Sequence, residues 1–182
     1  MKVHLMKTTM GWSAACFSTE GLLLLTLPCE SLEAAMAEAW ENFNQLMVCG
    51  EVFSSRLQAK DRASQAYRLY CSLVDYFEHG KDDFDVPIDW SITSDFARNV
   101  YQVVASIPYG EVRTYSWVAE QLGKPKAARA VGQALKRNPY PLVIPCHRVI
   151  AANGLGGFGG GLKMKKKLLS HEGYKFTGIE TG

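Results

Sequence analysis

The segment Ile144-Pro145-Cys146-His147-Arg148-Val149-Ile150 sets a thiol, an imidazole and a guanidinium between apolar flanks. A cysteine attacks as its thiolate, so it needs a base within reach and a group that orients the base. His147 is the adjacent base, and Glu172 in the short run His171-Glu172-Gly173 is a carboxylate able to anchor it. His171 competes as a second imidazole, although it suits a helix end better. If the segment is a strand, Cys146 and His147 point to opposite faces. Their contact then requires a water or an irregular backbone beside Pro145. The competing reading is an inert buried cysteine, because cysteine is among the most buried residue types. Haem attachment through CxxCH is excluded, since Val143 occupies the first cysteine position.

The remaining cysteines, Cys16, Cys29, Cys49 and Cys71, are scattered, and with Cys146 they make an odd number. That pattern argues against a disulfide framework and fits a reducing compartment, the cytoplasm. No CxxC pair marks a zinc site, and Cys16, Cys29, His4 and His79 lack ligand spacing, so no metal is expected. The loop Gly154-Leu155-Gly156-Gly157-Phe158-Gly159 formally matches GxGxxG, yet no strand with an acidic end follows to complete a dinucleotide site. A phosphate loop of the Walker type fails as well, because Leu162 follows Gly161 where lysine is required. The loop suits either a wall against a flat ligand or a plain strand-to-helix connection.

The elements that must position these groups fall into two halves. Strand-like runs at 3–9, 12–18 and 21–27 precede a helix capped by Ser31 and a second one from near Asp61 to Gly80. In the second helix Tyr67, Tyr70, Cys71, Val74 and Phe77 recur at helical spacing and read as a core stripe. Residues 81–91 are acidic and aperiodic, a connection with a short strand at Phe84–Val86. The expected domains are therefore 1–91, an α/β domain with an antiparallel sheet, and 92–182. Ser94 opens the next helix, closed by the turn Pro108-Tyr109-Gly110. A helix over Tyr115–Leu122, capped by Thr114 or Ser116, and one after Pro125 form a helix-turn-helix. No apolar run reaches the roughly 20 residues of a membrane span, and the basic start and cleavage pattern of a signal peptide are missing.

Charge divides along the same boundary. Residues 1–91 hold 7 Lys and Arg against 13 Asp and Glu, whereas residues 92–182 hold 13 against 5. A basic second half suits a polyanion. Its second motif helix is built on Ala127, Ala128, Ala130, Gly132 and Ala134, with Gln133 as the one uncharged polar side chain. Small residues allow close approach to a narrow groove but carry little base code, which implies shape-driven minor-groove binding. Arg129 alone reaches beyond them, either to hold a phosphate or to enter the base stack in place of an extruded nucleotide.

The ordered set PYGEVxTY, AARAVGxALxxNP, IPCHRVI, the glycine loop and LLxHEG resembles the O6-alkylguanine-DNA alkyltransferases from about Phe96 to Gly173. The resemblance implies a small N-terminal α/β domain and a C-terminal helix-turn-helix domain, winged-helix-like, that carries the reactive cysteine. It implies a single-turnover repair protein acting as a monomer on double-stranded DNA that contains O6-alkylguanine, with no cofactor. Cys146 would accept the alkyl group, His147 would take its proton through a water, and Glu172 would orient the histidine. Asn138 would be the hinge between recognition helix and active-site segment. Tyr115 would press on the target phosphate and donate to the flipped guanine, and Arg129 would fill the vacated stack. Ala127, Ala130 and Gly132 would face the groove. The carbonyls of Cys146 and Val149 would read the guanine amino group, in a pocket completed by Phe158, Gly159 and Gly160. Phe158-Gly159 departs from the Tyr-Ser pair of many members, leaving backbone amides to contact O6. Ala97 and Tyr101 stand where Gln and Trp are commoner. The rival classes are a non-enzymatic damage-sensing DNA-binding protein and a cysteine hydrolase.

Overall fold

The computed structural model describes residues 2–45, 53–56 and 64–176. Cys49 and the start expected near Asp61 for the second helix lie outside these residues. The chain forms two compact units, Met1–Ile92 and Thr93–Gly182.

In the first unit β1 (Lys2–Thr8), β2 (Gly11–Phe17) and β3 (Leu22–Leu25) pair antiparallel as a meander. A fourth strand, β4 (Phe53–Arg56), adds parallel to β1, so the sheet order is β3-β2-β1-β4. The expected antiparallel sheet thus carries one parallel edge, reached through the crossover helix α1 (Leu32–Gln45). All four residues of β3 are buried, and successive strand residues face opposite sides, so both faces of the sheet are covered. Val3, Leu5, Ala14, Cys16 and Leu24 meet Ala35 and Ala39 of α1 on one of them.

Helix α2 (Gln65–His79) starts at Ser64, whose hydroxyl accepts from Tyr67 N–H, and stops at Gly80 in the left-handed conformation. Its buried face is Ala66, Leu69, Leu73, Tyr76 and Phe77. The stripe expected from Tyr67, Tyr70, Cys71 and Val74 is rotated away, and Cys71 is exposed. Both sets have helical spacing, and the branched aliphatic pair Leu69 and Leu73 wins the interior because the tyrosine hydroxyls of the other set keep access to water. No strand forms at Phe84–Val86. Instead Leu22 N–H donates to Pro87 O, Asp89 N–H donates to Leu22 O, and Ile88 bridges Leu22. The acidic connection is therefore stitched to the β3 edge a few residues later than its apolar pair suggests.

The second unit is mostly helical. Helix α3 (Asp95–Ala105), capped by Ser94, buries Val100, Tyr101 and Val104. The two-residue strand β5 (Arg113–Thr114) leads into α4 (Tyr115–Gln121), where the Thr114 hydroxyl, not Ser116, accepts from Trp117 N–H. A 3₁₀ turn at Pro125–Ala127 precedes α5 (Ala128–Lys136), which buries only Val131 and Leu135. Strand β6 (Val149–Ile150) pairs parallel with β5, and α6 (Gly161–His171) closes the unit. Among the described residues this parallel pair is the unit's one sheet.

The α2 assignment has a direct consequence for stability. Leu73→Ala should cost about 2–5 kcal/mol in urea unfolding of the full chain, because it empties a fully buried site. Cys71→Ala should change stability by less than about 0.5 kcal/mol. Equal costs for the two would return the core to the tyrosine stripe.

Candidate active site

The segment around Cys146 is not a strand. Cys146-His147-Arg148 forms one 3₁₀ turn after Pro145, closed by Arg148 N–H on Pro145 O and Val149 N–H on Cys146 O. Three residues per turn fan these side chains about a third of a circle apart. Cys146 consequently lines a cavity while His147 and Arg148 both reach Glu172. The turn is approached through Leu142, buried with φ 72°, in a tight bend where Ile144 N–H donates to Tyr140 O. A left-handed leucine costs about 1 kcal/mol or more, so its surroundings hold it there.

Glu172 is fully withdrawn from water and saturated with donors. Arg148 binds it as a fork, Nε to Oε2 at 2.9 Å and Nη2 to Oε1 at 2.9 Å. Gly110 N–H donates to Oε2 at 3.0 Å, and His147 Nε2 lies 2.7 Å from Oε1. A carboxylate held by a guanidinium stays ionised and can only accept, so Nε2 carries the proton. That leaves Nδ1 as the bare nitrogen of a neutral ring, and it is buried with no partner among the described residues. Burial pushes the imidazole's pKa down, helped by the Arg148 and Lys165 charges and opposed by Glu172. The ring is a base kept unprotonated. Arg148 also donates Nη1 to Ile107 O at 2.7 Å and lies over the Tyr109 ring, tying the Cys146–Arg148 turn to the loop before β5.

The thiol itself meets Asn138. Nδ2 of Asn138 donates to Ile144 O at 2.9 Å and to Cys146 Sγ at 3.2 Å, while Oδ1 accepts from Tyr140 N–H. Complete burial raises the thiol's pKa, against the Asn138 amide, the Lys165 charge and the backbone N–H groups of Cys146 and His147. These donors favour the thiolate, yet desolvation dominates, so the resting sulfur holds its proton. Asn138 follows α5 directly, and α5 is pinned to α3 by Tyr101, whose hydroxyl donates to Ala134 O at 2.9 Å.

Above the sulfur lies a cavity of about 630 Å³, lined by Tyr115, Arg129, Gly132, Cys146, Gly157 and Phe158 among others. That volume is in the range of small-molecule sites. Tyr115 forms its central wall. Its hydroxyl donates to Gly157 O at 2.9 Å, and burial raises its pKa. The ring is gripped between two glycines: a Cβ on Gly132 would touch Cε1 at 3.7 Å, and one on Gly156 would meet Cε2 at 2.8 Å. Gly156 also has φ +67°, so no side chain is tolerated there for two independent reasons.

The structure therefore brings Cys146, His147, Glu172, Asn138 and Tyr115 together, with Arg129 and Ala130 exposed on α5 and Ala127 and Gly132 half-buried. Three residues expected in the pocket do not line it. Val149 is fully buried because β6 turns its side chain into the core, and Gly159 and Gly160 are exposed where the loop leaves for α6. Gly157, with Phe158, takes their place. Three side chains that shape the site escaped sequence reading. Arg148 sits in the quoted motif, yet its pairing to Glu172 spans 24 residues. Leu142 has no sequence mark of its left-handed backbone. Lys165 hides in the run Lys163-Met164-Lys165-Lys166-Lys167, although it is spaced three, four and seven residues from buried Leu168, Leu169 and Glu172. That spacing is an apolar helix stripe and could have exposed it.

A buried cysteine thus lines a cavity together with the second helix of a helix-turn-helix. Residues 95–174 match the family described as 6-O-methylguanine DNA methyltransferase, DNA binding domain. A methylated-DNA–protein-cysteine methyltransferase of Shigella flexneri is 38% identical over 149 residues, 80% of this chain and 87% of that protein. One of the same name from Mycolicibacterium paratuberculosis is 50% identical over 98 residues, 53% of this chain but 59% of the relative's length. In structure the chain resembles Mycobacterium tuberculosis OGT in complex with DNA, with TM-score 0.71, 29% identity and coverage of 94% and 92%. A Pyrococcus kodakaraensis O6-methylguanine-DNA methyltransferase gives TM-score 0.68 at 26% identity, covering 94% of this chain and 98% of that one. The chain belongs to the methylated-DNA–protein-cysteine methyltransferase family.

The glycine grip on Tyr115 can be tested without substrate. Gly156→Ala should lower stability by about 2 kcal/mol or more, combining a left-handed backbone with a clash on the ring. Gly157→Ala, with open space at its Cβ, should be tolerated. Thermal melts of the two variants decide the matter, and a tolerated Gly156→Ala would mean that Tyr115 moves freely.

Proposed function

We propose that the chain repairs DNA by moving the alkyl group of O6-alkylguanine irreversibly onto Cys146, once per molecule. The observation that carries this reading is that Cys146 and Arg129 line one cavity, the sulfur at its floor and the exposed guanidinium on α5. A base swung out of the duplex past α5 would then arrive at the sulfur. The domain that does so is Thr93–Gly182, a helix-turn-helix of winged-helix type in which β5–β6 takes the place of the wing.

In this reading α5 enters the minor groove, where Ala127, Ala130 and Gly132 permit close approach and phosphate contacts supply affinity. Arg129 fills the space of the extruded base. Guanine enters against Tyr115, with Phe158 as an apolar wall. His147 takes the thiol proton at Nδ1 through a water, because Nε2–H is committed to Glu172. The sulfur then attacks the alkyl carbon: the S–C bond forms, the C–O6 bond breaks, and its electron pair leaves on guanine, which takes up one proton while His147 gives up the one it received. Proton and charge balance without metal or cofactor. Alignment of sulfur and carbon in a dry site supplies most of the rate. The thioether is stable, so the protein ends as its own product. The reading includes monomeric action in the cytoplasm.

The decisive experiment is intact-mass spectrometry after mixing with an O6-methylguanine duplex. Wild type should gain one methyl at Cys146, and Cys146→Ser should gain none while binding DNA nearly as well. Binding without any mass gain would instead favour a damage sensor. Arg129→Ala should slow repair in duplex DNA ~10-fold or more, because flipping costs a few kcal/mol, while sparing transfer from the free alkylguanine base. Equal slowing on both substrates would make Arg129 a pocket support.

The pH profile has a defined sign. A base works when unprotonated, and His147 is held below the usual imidazole pKa of about 6.5. Single-turnover transfer should therefore persist as pH falls through about 6.5 and fail only lower. Stability follows the same group: the unfolded imidazole protonates first, so stability is full above about 6.5 and declines as pH drops towards the folded value. A rate that halves at pH 6.5 would contradict the neutral, buried ring.

A further inference from the structure

We propose that Tyr101 is a positioning residue for the transfer: it brackets Asn138 from both sides and so keeps that amide on the Cys146 sulfur. The inference rests on the reading of Cys146 as the alkyl acceptor and adds a residue to it. Asn138 lies just past the end of α5, between Ala134 and Tyr140 in the chain, and Tyr101 touches both of these. Its hydroxyl donates to Ala134 O at 2.9 Å. Its ring meets the Tyr140 ring edge-on, with centroids 6.2 Å apart and planes at 88°. Both tyrosines are withdrawn from water, 1% and 0% exposed.

The hydroxyl acts on the carbonyl that decides where Asn138 goes. In a regular α-helix Ala134 O would accept from Asn138 N–H, four residues on. Instead α5 tightens at its end: Arg137 N–H donates to Ala134 O at 3.1 Å, and Asn138 N–H to Leu135 O at 3.2 Å. Pro139 keeps the helix from running on but leaves open which carbonyl the Asn138 N–H takes. A carbonyl oxygen has two lone pairs, and on Ala134 Arg137 and Tyr101 fill both. Asn138 is thereby turned out of the helix. Its Nδ2 then donates to Ile144 O at 2.9 Å and to Cys146 Sγ at 3.2 Å, while Oδ1 accepts from Tyr140 N–H at 3.0 Å. The Tyr140 end is closed by Ile144 N–H on Tyr140 O at 2.8 Å. Burial raises the Tyr101 hydroxyl above the usual phenol range, so it remains a donor through neutral pH. A donor on the sulfur favours the thiolate over the thiol. Loss of the Tyr101 hydroxyl frees Ala134 O to draw the Asn138 N–H back and carry its amide off the sulfur. Tyr101 thus acts on Cys146 through Asn138.

The test reads the sulfur without DNA. Tyr101→Phe removes one oxygen and keeps the ring against Tyr140. Carbamidomethylation of Cys146 by iodoacetamide, followed by peptide mass mapping across pH, should show its midpoint raised by about half a unit in this variant, a ~3-fold loss of thiolate below the midpoint. Asn138→Ala should raise the midpoint at least as far. Adding Tyr101→Phe to Asn138→Ala should then change nothing more, because the link is already cut. If Asn138→Ala fails to fold by circular dichroism, proton exchange decides. The Asn138 side-chain amide, followed by NMR, should exchange with water faster in Tyr101→Phe than in wild type. An unshifted midpoint in folded Tyr101→Phe, an additive shift in the double variant, or unchanged amide exchange would overturn the assignment. A protein that shows the coupling yet takes no methyl from DNA would leave the role of Tyr101 standing and remove the repair reading instead.

Discussion

One buried carboxylate organises the second unit. Glu172 lies at the end of α6 and receives Arg148 twice, His147 once and the backbone of Gly110 once. Desolvating a carboxylate costs several kcal/mol unless donors replace the water it loses, and this one has its donors in bidentate and backbone form. The consequence is mechanical as well as electrostatic. Three stretches far apart in the chain, the Tyr109-Gly110 turn, the Cys146–Arg148 turn and the end of α6, are held to one point. Gly110 belongs there because its φ is 76° and a Cβ would sit 2.9 Å from Glu172 O. Taking away the carboxylate would strand Arg148 as an unpaired buried charge and free the imidazole to turn.

From that anchor the chemistry follows by division of labour. Arg148 keeps Glu172 ionised, Glu172 fixes the histidine tautomer, and the tautomer leaves Nδ1 bare. Burial then keeps the ring neutral, as a base must be. The same burial opposes the thiolate, so the sulfur is protonated at rest. Cys16 and Cys29 are raised as well, to about 11 chiefly by burial and to about 12 by burial together with the Glu38 carboxylate. Cys146 is raised by burial too, but an amide donates directly to its sulfur, from Asn138 at 3.2 Å. Reactivity is thus a property of the surrounding groups, while burial alone would silence the thiol.

The helix that presents the site to its ligand is unusual in being nearly bare. α5 buries two residues and exposes alanines and Arg129, with its last turn secured to Tyr101 and the following Asn138 secured to the sulfur. Any displacement of α5 therefore reaches Cys146 through one side chain. Tyr101 fills this role with its hydroxyl.

Much of this was legible in the sequence because it depends on local rules. Caps at Ser64, Ser94 and Thr114, the stop at Gly80 and the two short helices follow from residue types and spacing. The acidic and basic halves divide within a residue or two of where the units separate. The thiol, the adjacent imidazole and the carboxylate that holds the imidazole were visible as a motif. Tertiary structure decided the rest. It turned a strand-like segment into a 3₁₀ turn, since Arg148 and His147 had to reach one carboxylate together. It rotated α2 by one position, because two apolar faces overlapped and packing chose between them. It also buried Lys165 within a lysine run, as only the fold sets α6 with that side chain against the Val149 and Leu155 carbonyls. Local pattern names which groups are present and which elements carry them. Charge burial, whose cost depends on partners far away in sequence, decides what those groups become.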